Sequence, residues 1–177
     1  GFIPSKKHKI IKNQALVIDY QFVELDVWKD LKDIINKKEL GRLLHIEILW
    51  NNSTFAFLNK MKSWKTNPKM YGGVLNNFGS HVLYYIESLF GKISNIKVMT
   101  SKTNKKVEEV VYLNMVLANK CIISACISSN TLGGSGHLIE VTGDKGSCSL
   151  SNSYKDITNN FRLDVNLKNG NSYIKKS

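Results

Sequence analysis

Arginine is scarce in this chain, although the chain is strongly basic. The 177 residues include 25 Lys and Arg against 14 Asp and Glu, a formal charge of +11, yet only Arg42 and Arg162 are arginines. Arginine makes the bidentate contacts to phosphates and base edges on which nucleic-acid recognition depends. Because the remaining cations are lysines spread along the chain, we expect no nucleic-acid partner.

Cysteine and long apolar runs are also rare. Cys121, Cys126 and Cys148 are odd in number and show no C-x-x-C spacing, which argues against a disulfide framework and a zinc site and fits a reducing cytoplasm. No apolar run reaches the roughly 18–20 residues of a membrane span. The start of the chain has charge but no apolar block of the signal-peptide kind. We therefore expect a cytoplasmic protein without a membrane partner.

Motifs for binding phosphates or metals are missing as well. The glycines form no G-x-G-x-x-G pattern, and there is no Walker lysine motif. The Gly-Gly-Ser-Gly run at 133–136 precedes a predicted strand, so a flexible turn is the favoured interpretation. The four histidines lie far apart in sequence, and none has a metal-binding partner at helical spacing. We expect no metal site.

Hydrophobic periodicity assigns the first half of the chain to four segments. It predicts a strand at 14–22, a helix at 26–41 with Asp26 as its N-cap, and a strand at 42–50. Residues 51–73 have no clean period, and irregular segments of this length are usually functional or disordered. The apolar residues expected on one face of the second strand are Leu44, Ile46, Ile48 and Trp50.

The second half of the chain is rich in β-forming residues. After Gly91, short runs separated by turn residues at 118–120, 143–146 and 169–170 predict five or six strands. Many strands with few helices indicate an α+β fold, a mostly antiparallel open sheet with helices on one face. We expect one domain over residues 1–177. The uncovered face of its sheet is expected to pair with a second subunit.

The segment 72–91, GGVLNNFGSHVLYYIESLFG, predicts an amphipathic helix. At about 100° per residue, one stripe is apolar and consists of Leu75, Phe78, Val82, Ile86 and Leu89. The roughly opposite stripe consists of Asn77, His81, Tyr84 and Ser88. Asn77 and His81 are four residues apart and can touch. Helix geometry alone favours a solvated face for His81, whereas the lack of charged residues in its stripe and the preceding Gly-Gly favour a ligand cleft.

These residues carry a resemblance to a known family. Trp64-Lys65, a short spacer and then Gly-Gly-Val-Leu-x-Asn-x-Gly-x-His at 72–81 resemble the W-R…G-G-x-L-x-D-x-G-x-H motif of the Gfo/Idh/MocA oxidoreductases, relatives of glucose–fructose oxidoreductase and inositol dehydrogenase. The resemblance covers roughly residues 14–165. It implies the C-terminal domain of such an enzyme, with the N-terminal Rossmann domain, its Gly-rich loop and its Glu-Lys-Pro motif absent from this chain. The implied cofactor, NAD or NADP, would be bound mainly by that absent domain.

The resemblance also implies roles for individual residues. His81 matches the histidine that exchanges a proton with the substrate hydroxyl while hydride moves to the nicotinamide, a role that suits a pKa near neutrality. Asn77 stands where the family has an aspartate, and an amide can orient an imidazole but cannot stabilise its cation by charge. Tyr84 also stands where an aspartate is common. Asn77 and Tyr84 are therefore candidate substrate-binding residues.

Trp64 and Lys65 match residues of the family's cofactor–substrate cleft. The alternatives are a loop anchor packed on the sheet for Trp64 and plain solvent exposure for Lys65. The whole resemblance implies the substrate side of an NAD(P)-dependent oxidoreductase acting on a sugar- or cyclitol-like hydroxyl, in a homo-oligomer formed through the sheet. The domain alone is not expected to be active. The alternative is a non-catalytic relative used for binding or assembly, which Asn77 favours.

Overall fold

Two helices lie against one face of the molecule's sheet. Helix α1 spans Asp26–Asn36 and helix α3 spans Ser80–Phe90, and between them lies the four-residue helix α2, Phe55–Leu58. Within the part of the chain described here, no helix is long and apolar enough to cross a bilayer. The computed structural model describes residues 19–102, 107–129, 131, 134–153 and 159–176.

Eight strands form one sheet. In chain order they are β1 Leu43–Asn51, β2 Ile93–Lys102, β3 Glu108–Leu117, β4 Ile122–Ser128, β5 Gly136–Gly143, β6 Gly146–Asn152, β7 Arg162–Leu167 and β8 Ser172–Lys176. Their order in the sheet is β2-β3-β4-β1-β5-β6-β7-β8. Only β1 and β4 pair in parallel, and the other neighbours are antiparallel. The predicted α+β architecture is confirmed.

The turn predictions are confirmed, and the strand count was too low. Each of the three turn signals closes a hairpin, β3–β4, β5–β6 or β7–β8. Among the described residues after Gly91 there are seven strands rather than five or six. Lys120 and Gly170 take the positive φ that such turns need, +71° and +85°. Gly133 lies outside the described residues. At Gly134 an added Cβ would lie 2.2 Å from the Asn51 carbonyl oxygen, so this part of the turn is closely packed.

The core lies between the helices and one face of the sheet. Strand β1 buries Ile46, Ile48 and Trp50, as its alternation predicts. Leu44 is 40% exposed, so its predicted place on the same face is wrong. The pairing of β1 with β5 shifts register at the start of β1, and this irregularity breaks the alternation there.

The strand predicted at 14–22 is not observed over its described part. Residues 14–18 lie outside the described residues, and Gln21–Glu24 form a 3₁₀ turn. Phe22 is 2% exposed within this turn, so its tertiary packing outweighs the β-propensity of the segment. Leu25 rather than Asp26 is the N-cap residue of α1, and no side chain caps that helix.

A π-helical turn, Leu75–Gly79, precedes α3. The Ser80 N–H bonds to the Leu75 carbonyl five residues back, which accommodates one extra residue in the turn. The predicted apolar stripe is buried at Val82, Ile86 and Leu89 and partly buried at its first two positions. Tyr85 and Phe90 are buried as well, because they lie three and eight residues after Val82, on the same broad face of a regular helix.

The start of this helix is joined to β3 by a carboxylate. Glu108 Oε1 accepts a hydrogen bond from the Leu75 N–H at 3.0 Å, and a negative charge at this end also matches the helix dipole. Gly73 has φ +125°, and a Cβ there would lie 2.4 Å from the same oxygen. A Cβ at Gly72 would lie 2.3 Å from the Trp64 carbonyl oxygen. The close approach of these segments therefore requires glycine at both positions.

Gly73→Ala is expected to destabilise the protein more than Gly91→Ala at the other end of the same helix. Both residues have positive φ, +125° and +103°, so both substitutions strain the backbone by about 1–3 kcal/mol. Only at Gly73 does the new methyl group collide with the Glu108 carboxylate, whereas a Cβ at Gly91 has no neighbour within 4 Å. Urea unfolding of the two variants measures the difference. Equal losses would contradict the importance of the Glu108 contact.

Candidate functional site

The irregular segment before the π turn folds back on itself. The Gly73 N–H donates to the Lys65 carbonyl at 2.8 Å, and the Gly72 N–H donates to the Asn67 carbonyl at 3.0 Å. Ser63 Oγ accepts the Lys65 N–H at 3.3 Å at the beginning of a 3₁₀ turn. These bonds bring the backbone of Trp64 and Lys65 beside the start of the helix that carries the candidate histidine.

His81 lies half-buried in an aromatic pocket formed by separate elements. The rings of Tyr20, Phe22 and Trp50 meet its imidazole edge to face, with centroid distances of 5.2, 5.7 and 6.2 Å. Nδ1 is buried and has no hydrogen-bond partner among the described residues. The three rings thus hold the imidazole in place.

The charges around His81 act in opposite directions. Burial lowers the pKa of His81 below its usual 6.5, the Asp19 carboxylate raises it, and the Lys65 ammonium group lowers it. The net effect favours a neutral imidazole, which can accept a proton at neutral pH. Lys65 is partly buried rather than fully exposed.

Tyr84 lies one helical turn from His81, on the exposed side of α3. Its ring is stacked on Tyr20, with centroids 4.3 Å apart and planes at 18°. Tyr20 therefore contacts both Tyr84 and His81. The sequence does not reveal the role of Tyr20, because its β-propensity predicts a strand for residues 14–22. The available signal was a single carboxylate within the otherwise uncharged stretch ALVIDYQFV.

Asn77 and Trp64 differ from their expected settings. Asn77 lies half-buried in the π turn, and no hydrogen bond joins its side chain to His81 in the part of the chain that the structure describes. Side-chain positions four residues apart do not align in a π turn as they do in an α-helix. Trp64 is 44% exposed, so it is not an anchor buried against the sheet. The Lys65 ammonium lies 6.0 Å from the centroid of its ring.

His137 lies beneath the site and is fully buried. Its ring stacks on Trp50 at 4.4 Å, and Nε2 is 3.1 Å from the Tyr85 hydroxyl. Burial, with a smaller contribution from His81, lowers the pKa of His137 to about 3. Burial raises the pKa of Tyr85 well above 10, so its hydroxyl keeps its proton, and it shares a hydrogen bond with Nε2 whose direction follows the tautomer of His137. The pairing of β5 with β1 that creates this cluster is too distant in sequence for periodicity to reveal.

No metal chemistry is indicated by the residues in view. Across the described ranges, no three His, Cys, Asp or Glu side chains come close enough to hold a metal ion. The three cysteines are free thiols. The available chemistry is proton exchange at His81, with amide, ammonium and phenol groups nearby for hydrogen bonding.

Comparisons with known proteins match most of this chain. Residues 28–149 match the family model of the GFO/IDH/MocA C-terminal domain. An uncharacterized oxidoreductase from a Synechocystis species is 27% identical over 163 residues, which cover 84% of this chain and 44% of that relative.

Solved structures share the fold. Levoglucosan dehydrogenase in complex with NADH and L-sorbose has a TM-score of 0.73 at 18% identity, over 89% of this chain and 45% of that chain. A super-repressor mutant of Gal80p from Saccharomyces cerevisiae has a TM-score of 0.75 at 15% identity, over 91% of this chain and 45% of that chain. The chain spans less than half the length of these relatives.

The buried His137 is expected to make stability depend on pH. The unfolded chain takes up a proton on this residue as pH falls below 6.5, but the folded protein does so only near pH 3. The free energy of unfolding therefore decreases as the pH is lowered through this range. For this group alone the loss between pH 7.5 and pH 5.0 is about 2 kcal/mol. His137→Gln keeps an amide for the Tyr85 hydroxyl and should show a smaller loss. Urea unfolding at both pH values measures it, with the partly exposed His45→Gln as the control. An unchanged pH dependence in His137→Gln would contradict the assignment.

Proposed function

Because this chain belongs to the Gfo/Idh/MocA oxidoreductase family through its C-terminal domain, we propose that it forms the substrate side of an NAD(P)-dependent oxidoreductase. The proposed substrate is the hydroxyl group of a sugar or a cyclitol-like molecule. The setting of His81 carries the proposal, since the aromatic pocket fixes its half-buried ring and burial favours its neutral form.

In this proposal His81 is the acid/base. Nε2 accepts the proton of the substrate hydroxyl during oxidation and returns it during reduction, and the lowered pKa keeps the accepting form populated at neutral pH. The nicotinamide, when bound, supplies the hydride chemistry. Asn77 and Lys65 would hydrogen-bond other hydroxyls. Tyr84, stacked on Tyr20, would offer an aromatic face to the apolar side of the sugar ring.

The dinucleotide itself would be held mainly by a domain outside this chain. Protein atoms occupy the space beside Gly72, Gly73 and Gly134, where even a Cβ would collide, so these glycines form no cradle for a pyrophosphate. Trp64 and Lys65 fit a place at the edge of the nicotinamide and substrate, in keeping with the exposed indole. We propose that residues 1–177 act as a single substrate and assembly domain.

A non-catalytic relative that serves binding or assembly is the second candidate. It is favoured by Asn77, which provides an amide where the family motif has a carboxylate. The coding sequence upstream discriminates between the two. A Gly-rich loop and a Glu-Lys-Pro motif there would support the enzyme, and their absence would support the non-catalytic relative.

His81→Ala in the complete protein is expected to reduce turnover by about 10²–10⁴-fold, with the affinity for the nicotinamide cofactor nearly unchanged. Removing the imidazole removes proton transfer but leaves the dinucleotide site intact. Activity is measured with a panel of sugars, cyclitols and nucleotide sugars, using NAD and NADP in turn. His45→Ala, on a partly exposed side chain of β1, is the matched control. Unchanged turnover in His81→Ala would rule out the acid/base role.

We also propose that the face of the sheet opposite the helices forms a subunit interface. A row of side chains in register crosses five neighbouring strands on that face, from Met99 through Tyr112, Cys126 and Leu49 to Leu138. Met99 and Tyr112 are 60% and 50% exposed. Burial of an exposed apolar row is what drives subunits together.

Tyr112→Glu is expected to convert the assembled protein to monomers, because each interface would bury an unpaired carboxylate. Val98→Glu is the control, since Val98 is 46% exposed but pairs with buried Leu113 and thus faces the helix side. Size-exclusion chromatography with light scattering measures both masses. A monomeric unmutated protein, or an unchanged mass for Tyr112→Glu, would contradict the interface.

A further inference from the structure

A cleft lies at the end of α3 that is opposite to the candidate histidine. Its volume is about 500 Å³, and its walls come from the ends of α1 and α3, the start of β1 and the turns after β3 and β5. His81 is the second residue of α3, and Phe90 is the last. At about 1.5 Å per residue, the helix between them is about 14 Å long. The cleft is therefore separate from the His81 pocket.

Hydrogen bonds fix the turn after β5 to the start of β1 at one side of the cleft. The Lys145 N–H donates to the Leu40 carbonyl at 3.0 Å, and the Asp144 N–H donates to the Arg42 carbonyl at 3.1 Å. Asp144 Oδ1 accepts the Arg42 N–H at 2.9 Å. An added Cβ at Gly143 would collide with the Leu40 carbonyl oxygen, so the two segments are in direct contact. This side of the cleft is therefore held by a network of backbone contacts.

The inner wall of the cleft is apolar. Phe90 is buried, and Ile35 and Leu43 are half-buried where they line the cleft. All three side chains belong to the core or pack against it. An apolar wall favours a ligand that has an apolar body, because their contact removes both surfaces from water.

The rim of the cleft is positively charged. Lys38, Arg42 and Lys145 line it together with one carboxylate, that of Asp144. This carboxylate is already engaged, since Oδ1 accepts the Arg42 N–H and Oδ2 lies 3.7 Å from Arg42 Nε. Lys38 and Lys145 form no ion pair with any described residue. The excess of positive charge at the rim attracts an anion.

Lys38 occupies a backbone position that is typical of glycine. It follows α1 with φ +54°, the left-handed conformation that glycine adopts most easily after a helix. The chain therefore keeps a long cationic side chain here in spite of backbone strain. A lysine beside a helix end also matches the helix dipole. The dipole does not account for Arg42 and Lys145, which reach the same cleft from β1 and from the turn after β5.

We propose that this cleft binds a small organic anion, a molecule with a phosphate or carboxylate group on an apolar body. Arg42 and the two lysines of the rim would hold the anionic group, since a guanidinium group matches the paired oxygens of both anions. Phe90 and its apolar neighbours would contact the body. A volume of about 500 Å³ is typical of small-molecule sites. This second site does not depend on the acid/base role of His81.

NMR titrations of this chain with 1-naphthyl phosphate and with 1-naphthaleneacetate test the proposal. Each probe joins an anionic group to an apolar ring system. We expect saturable shifts of the backbone amides at 35–43 and 143–145, with a Kd of about 0.1–1 mM. Inorganic phosphate and uncharged 1-naphthol should each bind about tenfold more weakly, because each has only one of the two features. Saturable binding of either anion supports the site, and the tighter of the two identifies the anionic group.

Arg42→Met is expected to weaken the binding of 1-naphthyl phosphate about tenfold, and Lys145→Met should weaken it as well. Arg162→Met is the matched control, because this other arginine is also exposed and paired with an aspartate but lies on β7, away from the cleft. The spectra show whether each variant is folded. Unchanged affinity in Arg42→Met, equal weakening in Arg162→Met, or shifts confined to the surroundings of His81 would overturn the inference.

Discussion

The packing of Phe22 holds the structure together at the point where its parts meet. Its ring lies 5.2 Å from Trp28 of α1, 5.2 Å from Trp50 of β1 and 5.3 Å from His137 of β5, and it also borders His81. One side chain thus joins the segment before α1 to both layers of the fold. Aromatic rings bury a large area and prefer edge-to-face contacts, so this cluster fixes orientation as well as depth. The candidate site is the solvent-facing side of the same cluster.

Local sequence information was sufficient where a segment's neighbours in space are also its neighbours along the chain. The hairpins after Gly91, the irregular stretch at 51–73 and the apolar stripe of α3 all follow from period and turn chemistry. Local sequence information failed where contacts between residues distant in the chain determine the conformation. Phe22 leaves a β-prone segment for a buried turn, and a register shift turns Leu44 outward. The π turn, whose first N–H is bound by Glu108 of β3, is not part of the helical pattern that the sequence predicts.

The site shows the same division between local and distant information. His81, Asn77 and Tyr84 were found because they share one helix, and Trp64 and Lys65 because they belong to one motif. Tyr20 and His137 do not emerge from the sequence, because only the fold brings them near His81. The electrostatic setting of a histidine depends on burial and on charges several ångströms away, and neither can be read from residues four positions apart. Candidate site residues can therefore be inferred from the sequence, whereas their protonation behaviour can be inferred only from the assembled fold.

The single parallel pair at the middle of the sheet bears on how the molecule folds. The pairing of strand β1 with β4 begins at His45 and Ile122. The long segment of chain between the two strands must therefore fold back before they can pair. That loop contains the folded-back segment, the π turn and α3. The three hairpins involve only near neighbours and can form independently, whereas the central pairing carries the larger entropic cost of closure. His81 lies within that loop and Trp50 in the strand at its beginning, so the contact between their rings also has to bring together two distant parts of the chain.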